Sequence, residues 1–319
     1  MSYIEQVSKD LFDYLPALTK RPDFDDYWRA TIKLARQVPM DMQMEPYEYP
    51  SRYVRVYSIS YNGFDNTRIH GWYIVPQFAN GQKLPCLINY HGFAGDRGMP
   101  SDFMQWIAMD VCVLSVDCRD QCGETGNSAR YTSGSTQSVI CKGILDKDEY
   151  YFRAVYMDCM KAIDFACAQP ETDCSRIIIN GGSQGGAIGM AVCALDERPY
   201  LAMLDVPSNS NIEKRIEGSH GSFSSITDYL KKFPDRTEQV FETLSYFDTM
   251  NMAERIKCRV LASVGLKDQT CPARLYFASY NRIQSPKEIR IYPFNGHEGG
   301  GRVHNEVKLC FLKEHYIGD

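Results

Sequence analysis

The sequence predicts an α/β fold in one domain spanning residues 1–319: a mostly parallel central sheet, antiparallel at its N-terminal end, with helices on both faces. Three observations predict it. Short, almost unbroken apolar runs recur along the chain, as strands buried on both faces require. Helical apolar patterns fall between them. No linker, internal repeat or low-complexity tract divides the chain.

Taken in order, "FDDYWRATIKLARQ" (24–37) sets Tyr27, Trp28, Ile32 and Ala35 at helical spacing, which gives a helical extension over about 1–40. "RYVRVYSISYNGFDNTRIHGWYIVP" (52–76) reads as antiparallel strands with Asn62-Gly63 as a turn signal. Six apolar strands follow at 84–90, 111–117, 176–180, 201–206, 259–265 and 289–294. Between the second and third of these, Phe152, Val155, Tyr156, Cys159, Ile163 and Ala166 form one apolar stripe that ends at Gln169-Pro170. The mixed polar stretch at about 208–247 reads as an insertion shaping whatever site the sheet carries.

Composition excludes several function classes. A net charge of −5 offers no electrostatic footprint for nucleic acid or an anionic membrane surface. No apolar run reaches membrane-spanning length, and residues 1–20 lack a signal-peptide pattern. Among twelve cysteines, Cys86, Cys112 and Cys193 sit inside apolar runs and read as buried free thiols of a cytoplasmic protein. Cys118 and Cys122 are four apart and Cys271 precedes a proline, but no C-x-x-C pair or zinc-like His/Cys spacing appears. No metal and no cofactor are expected.

The chemistry concentrates at "GGSQGGA" (181–187), between the strand at 176–180 and a helix of small residues. Gly181-Gly182-Ser183-Gln184-Gly185 satisfies G-x-S-x-G, in which a serine stands on a strained strand-to-helix turn and glycines let the neighbouring chain approach. The helix N-terminus beneath it can hold a developing oxyanion. A glycine-rich turn with no catalytic role would also match the motif, so the partners decide. A serine hydroxyl needs a base, and the base an orienting acid, in the chain order Ser…Asp…His. Asp268 follows the strand at 259–265, and His297 follows the strand at 289–294. Asp205, after 201–206, is the rival acid. "HGFAG" (91–95) lies where a second oxyanion donor belongs, with Phe93 an equal candidate to supply it, and His91 there is expected to be structural. His297-Glu298 does not open a zinc-protease motif, since no second histidine follows and Gly299–Gly301 would break the helix.

The chain resembles the acetyl xylan esterase/cephalosporin-C deacetylase family within the α/β-hydrolase superfamily. The resemblance rests on "DFDDYW" (23–28), "YHGFAGD" (90–96), "KGILDKDEYYFRAVYMD" (142–158), "GGSQGG" (181–186), "TLSYFDTMNMAERIKCRVLASVGLKDQTCP" (243–272) and "GHE" (296–298). It implies Ser183 as nucleophile, Asp268 as acid, His297 as base, and the backbone N–H groups of Tyr90 and Gln184 as oxyanion donors. Arg119, Gln121 and Glu298 are implied as supports of the site. It further implies an intracellular hexamer, a trimer of dimers, acting on small acetylated saccharides or other short-chain esters. Two departures stand out. Arg119-Asp120-Gln121 carries Asp where the family has Gly, which predicts a left-handed residue and a carboxylate able to pair with Arg119. The glycine run 299–301 predicts a mobile or reshaped loop beside His297. A thioesterase or peptidase on the same scaffold, and a non-catalytic binding module, are the competing readings.

Overall fold

In a computed structural model, residues 2–79, 81–136 and 138–316 are described. Two helices open the chain, α1 (Tyr3–Phe12) and α2 (Phe24–Gln37). Strands β1 (Gln43–Tyr47), β2 (Val54–Asn62), β3 (Arg68–Pro76), β4 (Leu84–Tyr90) and β5 (Cys112–Val116) follow, with the short helix α3 (Met104–Ile107) before the last. Then come α4 (Tyr151–Cys167), β6 (Thr172–Gly182), α5 (Gln184–Leu195) and β7 (Pro199–Asp205). Helices α6 (Ile212–Glu217), α7 (Ser224–Lys232) and α8 (Thr237–Ser245) fill the stretch read as an insertion. The chain closes with β8 (Arg259–Gly265), α9 (Ala273–Tyr280), β9 (Lys287–Tyr292) and α10 (Gly301–Tyr316).

The strands make one nine-stranded sheet in the order β1-β2-β3-β5-β4-β6-β7-β8-β9. The pairs β1–β2, β2–β3 and β3–β5 are antiparallel, and every later pair is parallel. The apolar runs resolve into two cores because alternate strand residues point to opposite faces. Cys86, Ile88 and Tyr90 of β4, with Ile177 and Ile179 of β6, join the core under α2, α4 and α5. Leu87 and Ile178, with Leu201, Met203 and Leu261, join the second core under α3 and α10, against Trp106, Phe311 and Leu312. Consequently the C-terminal ends of β4, β6, β7, β8 and β9 all open at one edge.

One expectation is corrected and two are made more specific. The chain does turn after Asn62-Gly63, through a longer connection in which Gly63 N–H donates to Thr67 O and the left-handed residue is Asn66. Helix α4 has no single stripe but is buried almost all round, including Asp158 and Lys161. Lys161 Nζ is satisfied by Val38 O at 2.8 Å beyond the end of α2, which is why a cation can sit there. Cys86, Cys112 and Cys193 are buried free thiols, as expected, and a disulfide joins Cys167 at the end of α4 to Cys174 on β6. No helix among the described residues is long and apolar enough to cross a membrane.

Candidate active site

Ser183 stands between β6 and α5 with φ 57° and ψ −118°, a conformation costing an L-residue roughly 1–3 kcal/mol. Neighbouring backbone holds it there: Ser183 N–H donates to Asp205 O at 2.8 Å, and Ser208 N–H donates to Ser183 O at 3.0 Å. The glycines permit the packing. A Cβ on Gly185 would lie 1.9 Å from Tyr90 O, so only glycine lets the start of α5 close on the end of β4. A Cβ on Gly181 would likewise fall 2.5 Å from the Gly185 carbonyl.

The structure brings Ser183, His297 and Asp268 into one line. His297 Nε2 lies 3.0 Å from Ser183 Oγ, and His297 Nδ1 lies 2.8 Å from Asp268 Oδ2. Asp268 is 3% exposed, and its Oδ1 accepts from the N–H groups of Thr270 and Cys271, both at 2.8 Å. The hydrogen bond that Nδ1–H donates to Asp268, and then the Cys271 sulfur, hold the imidazole pKa above the ordinary histidine value. Asp205 does not take the acid's place. It accepts from Ser263 Oγ and lies against His304 Nε2 at 2.9 Å and Lys308 Nζ, whereas His297 is held by Asp268. Burial alone would raise its pKa, yet Lys308 and His304 hold it down at about 2.

Tyr90 ends β4 and Gln184 opens α5 next to the serine, and both side chains are committed elsewhere. Tyr90 OH donates to Cys159 O at 2.7 Å, and the Gln184 amide pairs with Gln121. Gln121 in turn accepts from Ala94 N–H at 2.8 Å and donates to Tyr151 OH at 2.9 Å, tying the 91–95 turn to α4. His91 is buried, with Nε2 accepting from Cys118 N–H at 2.8 Å and Nδ1 set against Gly92 O, which makes it a turn-holding residue. Phe93 is 40% exposed.

Arg119 is fully buried and bidentate on Asp158, with Nε to Oδ2 at 2.6 Å and Nη2 to Oδ1 at 2.9 Å, and its Nη1 reaches Asp65 at 2.9 Å. Asp120 is left-handed as expected, with φ 60°, but it pairs with Lys142 and Asn127 and leaves Arg119 untouched. Glu298 is exposed and closes its own loop, accepting from Gly296 N–H and Asn295 Nδ2. The glycine run serves shape: Gly299, Gly300 and Gly301 all have positive φ, and a Cβ on Gly300 would press 2.4 Å from the Tyr292 ring.

Two participants escaped the sequence reading. Cys271 Sγ lies 3.9 Å from Ser183 Oγ and neighbours His297. Its burial would raise the thiol pKa, but Arg215 and His297 overcome this and draw it below the usual value. Arg215 comes from α6, where it is buried and donates to Thr270 O at 2.7 Å, so the 208–247 stretch braces the loop that carries Asp268. The signal available for Cys271 was its three-residue distance from Asp268 before a helix-opening proline.

The comparisons with known proteins agree with one another. The chain matches the acetyl xylan esterase (AXE1) family over residues 1–315. It superposes on an acetyl xylan esterase from Paenibacillus sp. R4 with a TM-score of 0.92 at 39% identity, covering 99% of this chain and 100% of that one. Acetyl xylan esterase 1 from Thermoanaerobacterium sp. JW/SL YS485 superposes with a TM-score of 0.91 at 31% identity, covering 97% and 98%. Among curated proteins, the acetyl esterase Axe7A of Xylanibacter ruminicola is 28% identical over 314 residues, which is 95% of this chain and 69% of that protein. The fold is that of the α/β hydrolases.

Proposed function

The chain belongs to the acetyl xylan esterase family and is a carboxylic ester hydrolase, and on that premise we propose that it removes acetyl groups from small acetylated saccharides through an acetyl-Ser183 intermediate. The observation that carries this reading is the unbroken line Ser183–His297–Asp268, with contacts of 3.0 and 2.8 Å, on a backbone strained to present the hydroxyl. Neutral His297 takes the hydroxyl proton on Nε2 as Ser183 Oγ attacks the acetyl carbonyl. Asp268, accepting from Nδ1–H, fixes the tautomer and stabilises the imidazolium. The N–H groups of Tyr90 and Gln184 receive the oxyanion, each contributing about 3–4 kcal/mol by comparison with other oxyanion holes. The sugar alcohol leaves with the proton from Nε2, and water repeats the attack on the acyl-enzyme. Cephalosporin C carries an acetyl ester of similar size and belongs to the same proposed range.

Hydrolysis of p-nitrophenyl acetate and p-nitrophenyl butyrate by wild type and Ser183→Ala tests the reading. Acetate turnover well above butyrate, falling roughly 10⁶-fold in kcat in the mutant, is expected. Near-normal turnover by Ser183→Ala overturns it. Acetate release from acetylated xylo-oligosaccharides then measures the substrate.

We also propose a homo-oligomer in the cytoplasm. Supporting assembly, α1 leaves Tyr3, Ile4, Val7 and Phe12 exposed, and a groove of about 810 Å³ runs between α1 and edge strand β9. Supporting a reducing compartment, ten of the twelve cysteines are free thiols, all buried except Cys122 and Cys310, while the Cys167–Cys174 bond points the other way. Sedimentation at several concentrations reads the first, and a monomer throughout would refute it.

A further inference from the structure

The acyl-transfer steps proposed above pass no bond and no proton through the thiol that shares the pocket with Ser183 and His297. Cys271 is 2% exposed, its backbone is pinned by Asp268, and its Sγ stands 3.9 Å from Ser183 Oγ. Ser183 Oγ is 3.0 Å from His297 Nε2, and ligand atoms of Asp268, Cys271 and His297 lie within 4.8 Å of one another. We propose that Cys271 Sγ, His297 Nε2 and Ser183 Oγ together form a site for a thiophilic divalent cation such as Zn²⁺, and that its occupancy shuts the enzyme off.

Four-coordinate zinc binds sulfur at about 2.3 Å and nitrogen or oxygen at about 2.0–2.2 Å, so its ligand atoms lie roughly 3.3–3.7 Å apart. The separations from Ser183 Oγ, 3.0 Å to His297 Nε2 and 3.9 Å to Cys271 Sγ, straddle that range, so the proposed site requires side-chain rotation to form. Asp268 is not a ligand, because Oδ1 already accepts two N–H groups and Oδ2 holds His297 Nδ1. It fills another part of zinc chemistry: a carboxylate on the far nitrogen fixes the tautomer that turns the Nε2 lone pair toward the metal. The cation replaces the thiol proton, which passes to solvent, and the fourth position stays open. Arg215 repels an incoming cation but favours the thiolate that binds it. Mg²⁺ and Ca²⁺ prefer all-oxygen shells and are excluded. The sequence hides this site because its ligands come from three loops 26 to 114 positions apart rather than from a C-x-x-C pair, as residues 183, 271 and 297 show.

The inhibitory consequence rests on the esterase reading; binding does not, and the test separates them. Metal-stripped full-length protein is titrated with Zn²⁺ by calorimetry and assayed with p-nitrophenyl acetate, with Mg²⁺ as control. One Zn²⁺ per chain is expected, with inhibition reversed by EDTA and none by Mg²⁺. Cys271→Ala, scored against its own metal-free rate, should bind more weakly by more than the roughly 10–100-fold that loss of an outer partner costs. Co²⁺ bound to wild type should show a thiolate charge-transfer band, which decides the matter if the variant fails to fold. Undiminished Zn²⁺ inhibition in Cys271→Ala, or cobalt binding without that band, overturns the proposal. A protein without esterase turnover that still binds Zn²⁺ through Cys271 refutes the functional reading and leaves the site standing.

Discussion

Two Asp–His pairs in this molecule do different things. The open, upper pair Asp268–His297 lies on the loops after β8 and β9, and the buried, lower pair Asp205–His304 joins the end of β7 to the first turn of α10, with contacts of 2.8 and 2.9 Å. The acid–imidazole distance therefore does not make a base. The other ring nitrogen does: His297 Nε2 faces Ser183 Oγ, whereas His304 Nδ1 faces Tyr292 OH at 3.0 Å. Access separates them too, since the His297 side chain is 37% exposed and that of His304 only 2%. The lower pair is also neutralised by Lys308, which reaches both Asp205 and, at 2.9 Å, Asn180. It fastens α10 to the strands that carry Ser183, and so secures the ground on which the upper pair works.

Breaking each pair at its histidine gives the largest contrast. His297→Ala should lower kcat by roughly 10⁶-fold, as removal of a triad histidine does elsewhere, with little change in melting temperature. His304→Ala should do the reverse. It takes one neighbour from Asp205, which keeps Lys308 and Ser263, and one partner from the part-buried Tyr292 OH, and it empties a buried site, costing about 1–3 kcal/mol of stability, while the folded fraction keeps kcat within roughly 100-fold. Parallel thermal melts and p-nitrophenyl acetate kinetics read both, and equal kinetic losses in the two variants would abolish the distinction. At the acids the same contrast is smaller. Asp268→Asn should cost about 10⁴-fold in kcat through the wrong tautomer. Asp205→Asn should cost about 3 kcal/mol of stability, seen in denaturant unfolding, because Lys308 loses its buried counter-charge.

How far these pairs could be read in the sequence follows from what each depends on. Strands β4 to β9 were legible because residues such as Cys86-Leu87-Ile88 feed two cores at once and leave an unmistakable apolar run. Ser183, Asp268 and His297 were legible because strand ends are where a parallel sheet presents chemistry. Strand β1 was not, being exposed along its whole length and carrying Pro46, so no alternation marks it. Helix α1 falls inside the helical extension expected over about 1–40, but its bounds were not legible, because of its residues only Ser8 is buried. His304 was illegible as a partner of Asp205, because the pairing is made by the packing of α10 across β7, a contact 99 positions long. Asp120 shows the opposite limit. Its left-handed backbone was readable from a glycine position, but its partner Lys142 was not, because the choice between Lys142 and Arg119 is settled by Asp158 having already claimed the guanidinium.

The finest test compares His297 with itself. Only its neutral form can accept the Ser183 proton, and its pKa is raised above the ordinary value of about 6.5, first by the Asp268 hydrogen bond and then by the Cys271 sulfur. A raised pKa keeps the imidazole protonated to higher pH, so kcat/KM should climb with pH along a limb whose midpoint lies above that of free histidine. Removing the second cause should move the limb down without returning it to the free value: Cys271→Ala is expected to be active at a lower pH than wild type, with Asp268 still holding the midpoint above ordinary histidine. Asp268→Asn, which removes the larger cause, should move its residual activity further in the same direction. The limb is measured as kcat/KM for p-nitrophenyl acetate against pH at constant ionic strength. A limb that stays in place in Cys271→Ala would mean that the thiol touches His297 without acting on its proton, and that Asp268 alone distinguishes the upper pair from the lower.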